Sequence, residues 1–202
     1  MSEAALVLCG GSSRRMGRDK AGLPFGDESL LERVVRIDRS KVDEVWLVAR
    51  EGQVLPAGAE LPVARDPAEG LGPLAGVIAG VRAMKAERGF VVSCDSPLLE
   101  ADLISHLLEL SRGHHAAIPF VDGHYVPTTA IYAKSILPAA VRLLDQGELR
   151  PRLLVKEAGV RVVREAELVT IDPELLSFRD CDTPEEYADL LRLADLSYAP
   201  ER

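Results

Sequence analysis

The 202-residue chain has no excess of basic side chains, no closely spaced pair of cysteines and no apolar run long enough to cross a bilayer. Each absence removes a class of protein. Lysine and arginine number 24 against 32 aspartates and glutamates, a net charge of −8. Non-specific nucleic-acid binding runs on neutralised phosphates, so no nucleic-acid partner is expected. Cys9, Cys94 and Cys181 are odd in number and far apart. That excludes a disulfide framework and a zinc knuckle. The longest apolar stretches are strand-sized, and no membrane association is expected. The opening MSEAALVLCGG lacks the basic and apolar regions of a signal peptide, so the expected compartment is the cytoplasm. Repeats, low-complexity tracts and linkers are lacking too. The remaining composition, 47% apolar and 28% charged, is that of one ordinary globular domain.

What is present is an alternation. AALVLC, EVWLVA, LPVA and GFVVSC read as strands. ESLLERVVRI, GPLAGVIAGVRAMKAE and LEADLISHLLELS read as helices between or after them. This order predicts an α/β fold, a mostly parallel sheet with helices on both faces. After residue 114 the alternation weakens. HHAAIPF, VDGHYV and PTTAIYA predict two strands joined by a turn at Asp122–Gly123. Helices are expected at about 134–146 and 151–158, then short β segments RVV and LVTI. A last helix in TPEEYADLLRLADL is capped by Thr183.

Ligands of open α/β sheets bind beyond the carboxyl ends of the strands. There, LVLCGGSSRRMGRDK (Leu6 to Lys20) supplies Gly10 and Gly11 for close backbone approach, with hydroxyls on Ser12 and Ser13. Arg14, Arg15, Arg18 and Lys20 follow as cations, a set suited to a polyphosphate. The G-x-G-x-x-G pattern is absent, because serines stand where a second glycine is needed. The G-x-x-x-x-G-K-[ST] loop fails as well: five residues separate Gly11 from Gly17, and Arg18 follows. A solvated basic turn is the plain alternative. Asp95 closes the strand in VVSCD and sets a carboxylate on the same rim, where Mg²⁺ would offset its burial. Its alternative is a helix cap ahead of Pro97. Asp66 ends LPVARD, with a turn cap before Pro67 as its alternative. Gly72 and Gly76 permit close approach at a helix start, or merely tight helix packing.

The pattern L-x-G-G-x-x-x-R-M-G-x-D-K, here Leu8, Gly10, Gly11, Arg15, Met16, Gly17, Asp19 and Lys20, resembles the signature of MobA-type nucleotidyltransferases. GLGPLAG resembles that family's second motif, and CDSP its C-D-x-P motif. FRDCDTPEEY resembles N-x-N-T-P-E-[ED]-L, so the likeness runs from residue 6 to 187. The resemblance implies a single-domain, Rossmann-like three-layer sandwich of the nucleotide-diphospho-sugar transferase type. It implies one nucleotidyltransferase domain over 1–202, with a nucleotide-binding half to about 112 and an acceptor-binding half from about 113. The implied reaction moves GMP from GTP onto molybdopterin and releases pyrophosphate. Arg15, Lys20 and Asp95 would be catalytic, with Asp95 the Mg²⁺ ligand. Leu8, Cys9, Gly10, Gly11, Lys20, Asp66, Gly72, Asp95 and Asp182 would contact the nucleotide. GHYVPTTAIY would line the acceptor side. The nucleophile is already an anionic phosphate, so no general base is needed. The implied state is a monomer or small homo-oligomer, in transient contact with other molybdenum cofactor proteins.

Two departures from the pattern stand out. Asp180 and Asp182 replace both asparagines of the last motif, as metal or substrate contacts or as caps of the last helix. Val48-Ala49-Arg50 stands where relatives often carry a nucleotide-contacting asparagine. The cysteines read as small apolar fillers where the backbone nears the ligand. His114, His115 and His124 belong to no catalytic arrangement and are expected at the surface. Three rival readings remain: a transferase specific for CTP or a sugar phosphate, a dinucleotide-binding oxidoreductase domain, and a non-catalytic nucleotide sensor.

Overall fold

The computed structural model describes residues 2–10, 20–56, 60–66 and 72–196. Gly11 and Arg15 of the proposed site lie outside these residues, as do Arg14 and Arg18.

Strand β1 (Glu3–Leu8) is apolar after its first residue, and Ala4 to Val7 are wholly buried. Such a strand is stable only at the centre of a covered sheet. It pairs in parallel with β4 (Glu44–Arg50) on one side and β6 (Arg88–Ser93) on the other. Strand β5 (Val63–Asp66) adds in parallel to β4. Beyond β6 the order continues through β9 (Thr129–Ala133) and β7 (Ala116–Val121) to β10 (Val160–Arg164). The eight-stranded sheet is completed by β8 (His124–Tyr125) on β7. Only β8 and β9 run against the rest, so the sheet is mostly parallel, as expected.

The pleat sends alternate β1 side chains to opposite layers. Ala5 and Val7 meet α1 (Leu30–Arg39) and α3 (Ala101–Leu110); Leu6 and Leu8 meet α2 (Gly72–Ala83) and α4 (Leu137–Asp145). Helix α1 starts at Ser29, whose hydroxyl accepts from the Glu32 amide while Glu32 reaches back, a reciprocal cap worth about 1 kcal/mol. The last helix, α6 (Pro184–Leu193), has the same device at Thr183 and Glu186. A third cluster packs Tyr187, Leu190 and Leu191 of α6 against Leu23, Phe25 and Leu30. It ties the end of the chain to the short hairpin β2–β3 (Pro24–Phe25, Glu28–Ser29).

Three local expectations need correction. Residues 151–156 form a 3₁₀ helix, not an α-helix, with Pro151 opening it. LVTI is not a strand: Leu168 ends the one-turn helix α5 (Glu165–Leu168), and the apolar residues after it form a turn. The Asp122–Gly123 turn exists, with φ of 49° and 76° as a type I′ hairpin requires. It closes only onto the two-residue β8, and the longer β9 follows separately to enter between β6 and β7.

Candidate active site

The parallel strands deliver their carboxyl ends to one rim. Leu8, Cys9 and Gly10 leave β1 there, held on both sides. The Cys94 amide donates to the Leu8 carbonyl at 3.1 Å, and the Cys9 amide to the Val48 carbonyl at 2.8 Å. Leu8 and Cys9 are buried, and Gly10 is the first residue open to solvent. Gln53, which sequence reasoning missed, holds this exit: its Nε2 donates to the Cys9 carbonyl at 2.9 Å, and its Oε1 accepts from the Arg50 amide at 3.2 Å. Arg65 in turn donates to the Arg50 and Gln53 carbonyls.

Lys20, in the 3₁₀ turn Lys20–Gly22, reaches across the rim. Its Nζ donates to Asp95 Oδ2 at 2.8 Å and to Asp182 Oδ1 at 2.5 Å. Asp95 is only 6% exposed, and its other oxygen accepts from Ser93 Oγ, a second partner not foreseen. Burial works against the charge on Lys20, but the hydrogen bonds to Asp182 and Asp95 outweigh it and hold its pKa above the usual lysine range. Lys20 is therefore a fixed cation at neutral pH.

Neither Asp95 nor Asp182 is a helix cap. No helix begins at Asp95; α3 starts at Ala101 after Glu100. Thr183 caps α6, which leaves the Asp182 carboxylate to Lys20. Glu186 accepts from the Asp182 and Thr183 amides at 2.7 and 2.9 Å, and so fixes the backbone that presents Asp182. Arg33 donates to the Pro97 carbonyl at 2.6 Å and steadies the loop after Asp95. Asp180 keeps a solvent-facing surface. Dense packing nonetheless raises its pKa, and the charges of Asp95 and Asp182 raise it further. Among the described residues, three carboxylates thus face one ammonium group.

The remaining candidates divide. Asp66 ends β5 and is buried. The order β5-β4-β1-β6 separates its strand from that of Asp95 by three spacings, about 15 Å, so the two do not meet. Asp66 instead lines an open pocket of about 390 Å³ with Ala75, Ile78 and Leu144. Gly72 opens α2 with φ of 65°, and a Cβ there would lie 2.9 Å from the Leu149 carbonyl oxygen. Further along α2, a Cβ on Gly80 would come within 3.0 Å of Val48, which is the close packing of helix on sheet. The three cysteines are buried and form no disulfide, and burial pushes the Cys181 thiol up to about 12. That fits inert fillers. His115 and His124 are exposed, in line with expectation.

Among the described residues, no group of three or more His, Cys, Asp or Glu side chains is arranged to hold a metal ion. No helix among them is long and apolar enough to cross a membrane.

Comparison with known proteins gives the family and the fold. The model of the MobA-like NTP transferase domain matches residues 5–165. A probable molybdenum cofactor guanylyltransferase of Methanosarcina mazei is 32% identical over 93% of this chain and 89% of its own. One of Mycobacterium ulcerans is 38% identical over 80% of this chain and 83% of its own. Among solved structures, the molybdopterin-guanine dinucleotide biosynthesis protein A of Archaeoglobus fulgidus superposes with a TM-score of 0.82 at 25% identity, covering 96% and 98% of the two chains. The 2-C-methyl-D-erythritol 4-phosphate cytidylyltransferase of Thermus thermophilus shares the fold, with a TM-score of 0.71 at 19% identity over 97% and 100%.

Proposed function

The chain belongs to the MobA-like NTP transferase family, and from that premise we propose that it transfers GMP from GTP to molybdopterin, forming the guanine dinucleotide and pyrophosphate. Membership sets aside the dinucleotide-binding oxidoreductase. The observation that carries the reading is the meeting of Lys20, Asp95 and Asp182 at the rim beyond the parallel strands.

Asp66 and Gly10 would serve the nucleoside end and Lys20 the phosphates, three strands apart along one extended nucleotide. Gly72, with Leu8 and Cys9, would border the nucleotide through backbone. Arg15 would act with Lys20 on the triphosphate. The attacking group is an anionic phosphate oxygen of the acceptor, so the side chains contribute positioning and charge stabilisation rather than proton removal. Residues to about 112 would hold the nucleotide and those from about 113 the acceptor, except that Asp182 returns to the phosphates.

The donor set fits a divalent cation. Among the described residues, Asp95, Asp180 and Asp182 outnumber the Lys20 ammonium. Mg²⁺ prefers one or two carboxylates plus substrate phosphates to a full protein cage. Asp95 would hold it, with Asp182 as the second candidate. When bound it would neutralise phosphate oxygens. A cytoplasmic setting fits these substrates.

The test is pyrophosphate release by the purified protein with Mg²⁺, molybdopterin and each nucleoside triphosphate in turn. GTP should support release. Release with CTP and not with GTP would overturn the guanylyl assignment.

A further inference from the structure

Arg50 closes β4 at the rim and is half-buried. Its Nε is shut off from solvent, and no nitrogen of the guanidinium makes a hydrogen bond or ion pair with a described residue. A buried N–H without an acceptor is costly, and a ligand that brings the acceptor removes the cost.

The main chain of Arg50 is, by contrast, fully held. Its amide donates to Gln53 Oε1 at 3.2 Å. Its carbonyl accepts from Arg65 Nη1 at 3.0 Å and from the Gln53 amide at 3.1 Å. Gln53 Nε2 donates to the Cys9 carbonyl, so one side-chain amide replaces the next rung of the β1–β4 ladder, after the bond from the Cys9 amide to Val48. The guanidinium therefore stands on a fixed strand end, and a fixed support is what a discriminating contact needs.

The register sets Arg50 between Gly10 and Asp66, the two residues proposed above for the nucleoside end. Arg50 is opposite Asp66 across β4–β5. Gly10 is level with it on β1, two places beyond the Leu8–Val48 pair, and a Cβ on Gly10 would lie 3.5 Å from Arg50 Cγ. The phosphate end lies elsewhere. Asp95 follows β6, on the far side of β1 from β4. Arg50 shares its face with Val48, which packs in the core with α2, whereas Ala21 beside Lys20 packs in the core with α1. Val48 and Ala49 are apolar and buried, so Arg50 is the polar side chain that the end of β4 can offer a nucleotide.

We infer that Arg50 selects the base, its guanidinium donating to the adjacent O6 and N7 acceptors of guanine. This rests on the reading above and names the residue that sets its specificity. A guanidinium is a planar fork of donors with no acceptor. Guanine turns two neighbouring acceptors to such a fork. Adenine sets an amino donor beside its N7, and cytosine presents an amino donor on the corresponding edge.

The test is isothermal titration calorimetry of the wild-type protein and of Arg50→Met, each with Mg²⁺ and GTP, 7-deaza-GTP or CTP. 7-Deaza-GTP has C–H in place of N7 and keeps every other group of GTP. The wild-type protein should bind it on the order of tenfold more weakly than GTP, the scale of one lost hydrogen bond to a charged group. Arg50→Met should bind GTP roughly tenfold to a hundredfold more weakly, no longer distinguish it from 7-deaza-GTP, and keep its affinity for CTP. Equal binding of GTP and 7-deaza-GTP by the wild-type protein overturns the base role without recourse to a variant, and leaves the reaction standing. Equal losses for all three nucleotides in Arg50→Met assign the guanidinium to ribose or phosphate and overturn the inference too. Wild-type protein that binds CTP and not GTP overturns the guanylyl reading, and the role of Arg50 with it.

Discussion

Two aspartates lie buried in different parts of this molecule, with opposite surroundings. Asp95 at the rim is 6% exposed and has Lys20 and Ser93 as partners. Asp38, in the last turn of α1, is wholly buried, and neither carboxylate oxygen has a hydrogen-bond partner among the described residues. It occupies an apolar stripe position, four residues after Val34. Burial alone raises its pKa well above the usual carboxylate value. The contrast separates two meanings of a buried acid. A carboxylate given a cation and a hydroxyl is held in place by them, whereas one given nothing is buried at a cost in stability.

Breaking the rim side should have the largest effect. Asp95→Asn should lower turnover on the order of 10³-fold while nucleotide still binds, checked by pyrophosphate release and by calorimetric titration with GTP. Retained turnover would remove Asp95 from the metal role. Lys20→Gln should cost about 10²-fold, with a weaker GTP affinity in the same titration. Next comes Asp38→Asn, which should leave turnover alone and stabilise the fold at pH 7 by about 1–3 kcal/mol, measured by urea unfolding.

The sign of the Asp38 effect follows from its raised pKa. The folded protein holds this proton more tightly than the unfolded chain does. Its contribution to stability is complete below about pH 4, the unfolded carboxyl range, and is lost as pH rises through the folded pKa. The gain from Asp38→Asn should therefore shrink steadily as pH is lowered towards 4, and a gain independent of pH would point to a packing effect instead. The smallest change sharpens the comparison. Asp182 is 61% exposed at its side chain, so its pair with Lys20 is well screened. Asp182→Asn should alter turnover less than about tenfold, in a direct assay beside Asp95→Asn.

Much of this arrangement is readable in the chain before folding. The apolar β1 and the cap at Ser29 speak through local pattern, as does Asp95 at a strand end. What is not readable depends on distance or on competition. The pairing of Lys20 with Asp182 spans 162 positions and has no local signal. Gln53 looks like an ordinary loop residue until β1 and β4 bring Cys9 beside it. LVTI carries the composition of a strand, but the neighbouring Glu165–Leu168 turn takes its first residue into a helix. Asp38 was hidden differently: its stripe position reads as apolar, and only the burial shows that an acid occupies it.

The bond from Lys20 to Asp182 also has a consequence for the protein's birth. The lysine leaves the ribosome early, and its second carboxylate follows 162 residues later. At translation rates of roughly 5–20 residues per second, the interval is about 10–30 s. Throughout that time β1 and the 3₁₀ turn of Lys20 exist without α6, whose Tyr187 hydroxyl donates to the Pro24 carbonyl beside the turn. The rim where Lys20 meets Asp182 is thus incomplete until α6 has been made. Until α6 docks beside Pro24, Lys20 lacks its second carboxylate.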